Sequence, residues 1–255
     1  MSDEWNVYLS EREEAPASIL LDVGIARESV REAYPEMTWV RLNMLSPAPD
    51  GLSSEEEFDD LRAIFDALET AAAASSSIVV GRKTGSGVQD IFLYTADGPA
   101  MHGAIRDVMR GFPTYVYESG VRADPEWSVY FDVLYPSPRE QQTIGNRSVC
   151  ENLRRHGDDL QTPRLVDHCA YFGDEVRRAR FAGHIQKQGF RVTDQFATEE
   201  PSPRFALVFS QLAVPARIDD YVLPVFDDVV EFGGEYDGWE TVLIKSSGAG
   251  DTQGR

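Results

Sequence analysis

Residues Gly233–Thr241 read GGEYDGWET. They follow an amphipathic run, Ala216–Phe232, and precede the apolar run Val242–Leu243–Ile244. A Gly pair stops a helix, because Gly adopts the left-handed conformation of a helix end without steric cost. Asp237-Gly238 is a turn dipeptide. Trp239–Lys245 then has the composition of a strand. The stretch therefore reads as a helix stop, a turn and the entry to a closing strand.

Working back from that strand orders the second half of the chain. Val166–Phe172 is a predicted strand. Asp174 can cap a helix running to Gln188, with Val176, Ala179, Ala182 and Ile185 inward, and Gly189 stops it. Strands follow at Phe190–Phe196 and Phe205–Val214. The helix Ala216–Phe232 carries Ile218, Val222, Val225 and Val229 at helical spacing. Pro224 inside it predicts a kink or a late start, since an interior proline costs about 3 kcal/mol. The order is β-α-β-β-α-β.

The first half repeats that order without a visible sequence repeat. Trp39–Leu45 alternates as a half-buried strand does. Ser53 and Ser54 each precede a Glu by three residues, a capping-box pattern. The helix after them has Phe58, Leu61, Phe65 and Leu68 on one face. Ile78–Val80 and Val88–Tyr94 are strands joined through Gly81–Gly87. Asp97-Gly98-Pro99 opens a helix with Met101, Ile105, Val108 and Met109 inward, and Thr114–Tyr117 resumes a strand. Runs at Trp5–Leu9 and Ile19–Val23 can add strands. Val129–Tyr135 reads as a further aromatic strand, and Arg139–His156 as a helix with Ile144, Val149 and Leu153 inward. The predicted fold class is α+β: two tandem ferredoxin-like (βαββαβ) domains with antiparallel sheets. The predicted limits are 1–136 and 161–246, with a linking helix at 137–160 and a disordered tail at 247–255.

The formal net charge of −19 repels phosphate backbones and anionic lipid. Direct nucleic-acid and membrane binding are not expected. The acidic start has no apolar core behind positive charge, which argues against a signal peptide. Cys150 and Cys169 suit a reducing, cytoplasmic compartment better than a disulfide scaffold, although sequence alone leaves a bridge between them open. Arg154, Arg155, Arg164, Arg177, Arg178 and Arg180 cluster in an otherwise acidic chain. They read as solvated surface or as a basic face.

No stretch declares a reaction. Gly81–Gly87 lacks the terminal Lys-Ser/Thr of a phosphate loop and leads into a strand, so it reads as a hairpin. In a strand, His168 of Asp167-His168-Cys169 points away from both neighbours, so the trio cannot converge. His102, His156, His168, His184 and the cysteines have no metal-ligand spacing. No cofactor is expected. Glu235, Asp237 and Glu240, with Tyr236 and Trp239, form a turn with a ring anchor or a recognition surface. The candidate binding residues are Tyr236, Asp237, Trp239 and Glu240.

Phe205–Thr241, and above all EYDGWET, resembles the bacterial regulator of ribonuclease E activity B (RraB) family, over roughly the last 90 residues. Tyr236, Asp237, Gly238 and Trp239 match that family's YDGW signature. The chain departs from the family's pattern in its short, nearly neutral end and in its added first half. VGRKTGSGVQDIFLY, DPEWSVYFDVLYP and GDDLQTPRLVDHCAYF resemble a bacterial family of unknown function that is fused to such domains. The resemblance implies a ferredoxin-like domain and a non-enzymatic regulator that binds a protein partner, a ribonuclease, and modulates RNA turnover. The alternative is a small-molecule-binding or enzymatic protein with a pocket between the two domains, drawing on Trp127, Tyr130, His168, Tyr236 and Glu240. A third reading is an assembly module whose sheet edges pair. The sequence leaves the oligomeric state open.

Overall fold

The computed structural model describes residues 2, 4–10, 12, 15–28, 30–199 and 204–245. The expectation for the tail at 247–255 falls outside them. No helix among the described residues is long and apolar enough to cross a membrane. The chain divides into two compact units between Glu140 and Gln141.

The first unit contains β1 (Trp5–Ser10), β2 (Ala17–Asp22), β3 (Glu36–Asn43), α1 (Phe58–Ala74), β4 (Ser77–Gly85), β5 (Val88–Thr95), α2 (Gly98–Met109) and β6 (Tyr117–Ala123). The sheet order is β1-β2-β4-β5-β3-β6, antiparallel throughout. The four strands β4-β5-β3-β6 with α1 and α2 make the ferredoxin-like unit. β2 and β1 extend it beyond β4, as the apolar runs near Ile19 and Trp5 allow. Val40, Leu42, Leu61, Ile64, Leu93 and Ile105 are buried between sheet and helices. Each such side chain contributes roughly 1.5–3 kcal/mol relative to exposure.

The second unit contains most of α3 (Pro138–Arg155), then β7 (Arg164–Phe172), α4 (Glu175–Lys187), β8 (Arg191–Thr198), β9 (Arg204–Ala213), α5 (Ile218–Glu231) and β10 (Gly234–Thr241). Its sheet order is β10-β7-β9-β8, again antiparallel and ferredoxin-like. A short 3-10 turn, Pro215–Arg217, precedes α5, and Pro224 lies inside that helix. α3 packs Cys150 and Leu153 against Val166, Ala213, Ile218 and Val222.

Several local expectations are corrected. Ser54 accepts from Glu57 N–H at 3.3 Å, but the Glu57 carboxylate turns to the Leu45 and Ser46 amides instead of closing the box. The reciprocal box forms at α3, between Ser137 and Glu140. Phe58 is exposed, and Ile64 takes its place in the inward stripe. β4 absorbs Gly81–Gly85, leaving Ser86-Gly87, both at positive φ, as the hairpin turn into β5. β6 begins at Tyr117, so Thr114–Val116 is not strand. On α4, Val176 and Ala179 face outward, and Phe181, Ala182 and Ile185 are the buried set. On α3, Ile144 and Val149 are only half-buried, and Asn146, Cys150 and Leu153 form the inner line. Arg164 is not surface: it is buried against Asp158.

Val129–Tyr135 is not a strand either. Val129–Leu134 is a π-helical turn, in which the Tyr135 N–H donates to the Tyr130 carbonyl at 2.8 Å. Asp124 starts it by accepting from the Ser128 N–H (2.9 Å) and hydroxyl (2.7 Å) and from the Tyr94 hydroxyl. Trp127, at φ 57°, stacks on Tyr94 with ring centroids 4.0 Å apart. Tyr130 donates its hydroxyl to the Asp22 carbonyl at 2.8 Å. Burying Trp127, Tyr130 and Leu134 together outweighs the aromatic-rich composition that suggested a strand.

Candidate functional site

GGEYDGWET is itself the closing strand, not the turn into one. β10 spans Gly234–Thr241 and pairs with β7 along its length, while Val242–Ile244 lies beyond it. Gly233, at φ +70°, ends α5. Gly234 passes under the Phe172 ring, where a Cβ would stand 2.5 Å from Cε1. Asp237-Gly238 is a β-bulge rather than a reverse turn: Tyr236 pairs with Ala170 and Gly238 with Cys169, so Asp237 is the extra residue. Gly238 sits at φ +130°, a conformation that L side chains rarely adopt.

The bulge decides which side chains go where. Side chains alternate along a regular strand, so two residues three apart face opposite ways. Tyr236 and Trp239 are three apart, yet both pack on the helix side. Their partners Ala170 and His168 are buried there as well. The extra residue resets the alternation between the two rings. Glu235, opposite Tyr171, and Glu240, opposite Asp167, then fall on the open side of the sheet.

Tyr236 shares a 2.8 Å hydrogen bond with His168 Nδ1 and meets Phe226 of α5 edge to face. Burial pushes its hydroxyl well above the usual phenol range. His168 is wholly buried and stacks on Phe209, and burial pushes its imidazole down to about 4. Its Nε2 has no hydrogen-bond partner among the described residues. Trp239 donates its indole N–H to Asn146 Oδ1 at 2.8 Å. Buried Asn146 also accepts from Gln142 at 2.8 Å and donates to Asp219 at 2.6 Å, so α3, β10 and α5 share one polar hub. The sequence reading missed Asn146, which an otherwise polar helix does not single out.

The four candidate residues therefore divide. Tyr236 and Trp239 secure the strand, while Asp237 and Glu240 are exposed. Asp237, Glu240, Asp167, Cys169 and Val208 surround an open depression of about 310 Å³. Burial and then the Asp237 charge raise the Cys169 thiol, so it is not poised as a nucleophile. Cys150 and Cys169 are both free thiols. Trp127 and Tyr130 are enclosed in the first unit and His168 in the second, so three of the five residues invoked for a small-molecule pocket are core.

Residues 3–135, more than half of the chain, match the family model described as "Family of unknown function (DUF695)". The chain belongs to the DUF695 family. Beyond the DUF695 region, residues 143–241 match the model described as "Regulator of ribonuclease activity B", which carries regulation of ribonuclease activity at the family level. That second match takes in Asn146 as well as the bulged strand. Among curated proteins none matches the chain. Two solved structures are similar to the DUF695 chain at low scores. One, an unknown protein from Galdieria sulphuraria, is 11% identical and covers 82% of this chain and 99% of its own, with a TM-score of 0.25. The other, a putative glycine cleavage system transcriptional repressor, is 6% identical and covers 81% and 98%, with a TM-score of 0.24.

Proposed function

We propose that the chain is a non-enzymatic, protein-binding regulator that acts on a ribonuclease through its second unit. The observation that carries this reading is the match of residues 143–241 to the ribonuclease-regulator family. The net charge of −19 favours contact with the protein over contact with its RNA. Two free thiols are in keeping with a reducing, cytoplasmic setting.

The contact surface is the open face of the second sheet, where Asp237 and Glu240 are exposed, rather than a sheet edge. Both edge strands are bulged, β10 between Tyr236 and Gly238 and β8 between Val192 and Asp194. Bulged edges resist the addition of another strand. The test is affinity purification of the tagged chain from its source cells, followed by a ribonuclease assay with the purified partner. A ribonuclease that is enriched and changes rate when the chain is added supports the reading. No enriched ribonuclease, or one whose rate is indifferent to the chain, overturns it.

A further inference from the structure

We propose that the open face formed by β10, β7 and β9 seats a basic amphipathic segment of a protein partner. Its apolar residues lie on Leu165 and Leu212, and its cations on Asp167, Asp237 and Glu240. That the occupant is a protein rests on the regulator reading above. The chemistry of the seat rests on the face itself.

Leu165 and Leu212 stand directly opposite each other on β7 and β9, 48% and 66% exposed. Asp167 and Glu240 stand directly opposite on β7 and β10. Like charges in that relation repel. Neither they nor Asp237 has an ion-pair partner among the described residues. A pair that weakens its own sheet is explained by a cation arriving from outside. Arg204, also on this face, is engaged with Glu235 at 2.8 Å and lies over the Tyr171 ring. Arg191 stands opposite Ser210 on β8, in the same cross-strand row as Asp167 and Glu240, and forms no ion pair with either among the described residues.

One further group points the same way. Ser210 is opposite Asp167 on β9 and therefore on the open face. It is 2% exposed, and its hydroxyl has no hydrogen-bond partner among the described residues. A buried hydroxyl left unpaired costs free energy until a partner supplies a donor or acceptor. The face thus offers an apolar pair, an unpaired hydroxyl and three uncompensated carboxylates side by side. A strand or helix alternating Leu with Lys or Arg complements all three. A nucleic-acid strand complements none of the carboxylates.

The experiment titrates the full chain with a fluorescent synthetic peptide of alternating Leu and Lys blocks, a Leu/Glu peptide and a single-stranded RNA, by anisotropy at two salt concentrations. The expected result is salt-sensitive binding of the Leu/Lys peptide only. Asp167→Asn/Glu240→Gln should weaken it at least tenfold, as should Leu212→Ser. Neutralising two acids elsewhere, Asp59→Asn/Asp60→Asn on α1, should leave it unchanged. Thermal melts guard against misfolding, and Asp167→Asn/Glu240→Gln should melt no lower than the parent, because it removes a repulsion. Equal loss in the α1 variant, peptide binding that survives Asp167→Asn/Glu240→Gln, or preference for RNA overturns the proposal. If a ribonuclease responds equally to the parent and to Asp167→Asn/Glu240→Gln, this seat is wrong while the regulator reading stands. If the peptide binds as expected but no ribonuclease responds to the chain, the regulator reading fails while the seat stands.

Discussion

The indole N–H of Trp239 donates to Asn146 Oδ1 at 2.8 Å. That bond ties the last strand of the second unit to its first helix. Asn146→Ala leaves the Trp239 donor and the Gln142 donor without their acceptor and should cost about 1–3 kcal/mol. Trp239→Ala removes the ring as well and should cost about 3 kcal/mol or more. A double-mutant cycle pairing Asn146→Ala with Trp239→Phe in urea should return a coupling of roughly 0.5–3 kcal/mol. Additive losses would mean that the bond does not form in solution.

Asp158 and Arg164 are buried together, and Asp158 also accepts from the Leu160 and Ile244 amides at 2.7 and 2.8 Å. The Arg164 hydrogen bond comes first among the causes that hold its carboxyl far below the usual carboxylate range. Arg164→Ala should destabilise by about 3–5 kcal/mol, because it strands a buried charge. Amide hydrogen exchange at Ile244 should rise with it. The depressed carboxyl contributes stability above the ordinary aspartate range, lost only as pH falls through the lower folded value.

His168 sets a second pH dependence at milder acidity. Unfolded, the imidazole takes a proton near 6.5; folded, it does so near 4. Between those values the unfolded chain binds more protons, so stability falls as pH falls across that window, by about 3 kcal/mol in all. Urea midpoints at pH 7, 5.5 and 4.5 should record the decline. His168→Phe, which stays apolar across the range, should flatten it. An equal slope in that variant would assign the effect to other groups.

Gly234→Ala drives a methyl into the Phe172 ring and should cost about 1–3 kcal/mol. Gly238→Ala meets no neighbour but must hold φ near +130°, a strain of order 1–3 kcal/mol. The two losses should separate in a size series. Larger residues at 234 should be progressively worse, while residues at 238 should plateau after Ala. Calorimetric midpoints give the comparison directly.

The two βαββαβ orders were legible because helical stripes such as Ile218–Val222–Val225–Val229 and the short apolar runs between turn residues carry local signals. The exceptions have physical reasons. Asp-Gly is equally at home in a turn and in a bulge, and only pairing with Ala170 and Cys169 distinguishes the two. Val129–Tyr135 has the aromatic-rich composition of a strand, but the Tyr130 hydroxyl donates to the Asp22 carbonyl and the Tyr130 amide to the Tyr94 hydroxyl, both far away in sequence. Of the candidate site, the carboxylates could be named from sequence. That two rings would turn inward while Asp237 and Glu240 stayed outside could not, since strict alternation forbids it. Asn146, Ser210 and the Leu165–Leu212 pair carry no signal until the strands are in register.

The extra residue at 237 also bears on how this strand can diverge. Tyr and Trp must remain separated by two residues, because an indel of one there would send the indole to the solvent side and bring Glu240 inward. Point substitutions at 237 leave that spacing intact. Descendants should therefore vary freely in which residue occupies the bulge while showing no gaps across it, a pattern that distinguishes a site fixed by geometry from one fixed by the chemistry of its aspartate.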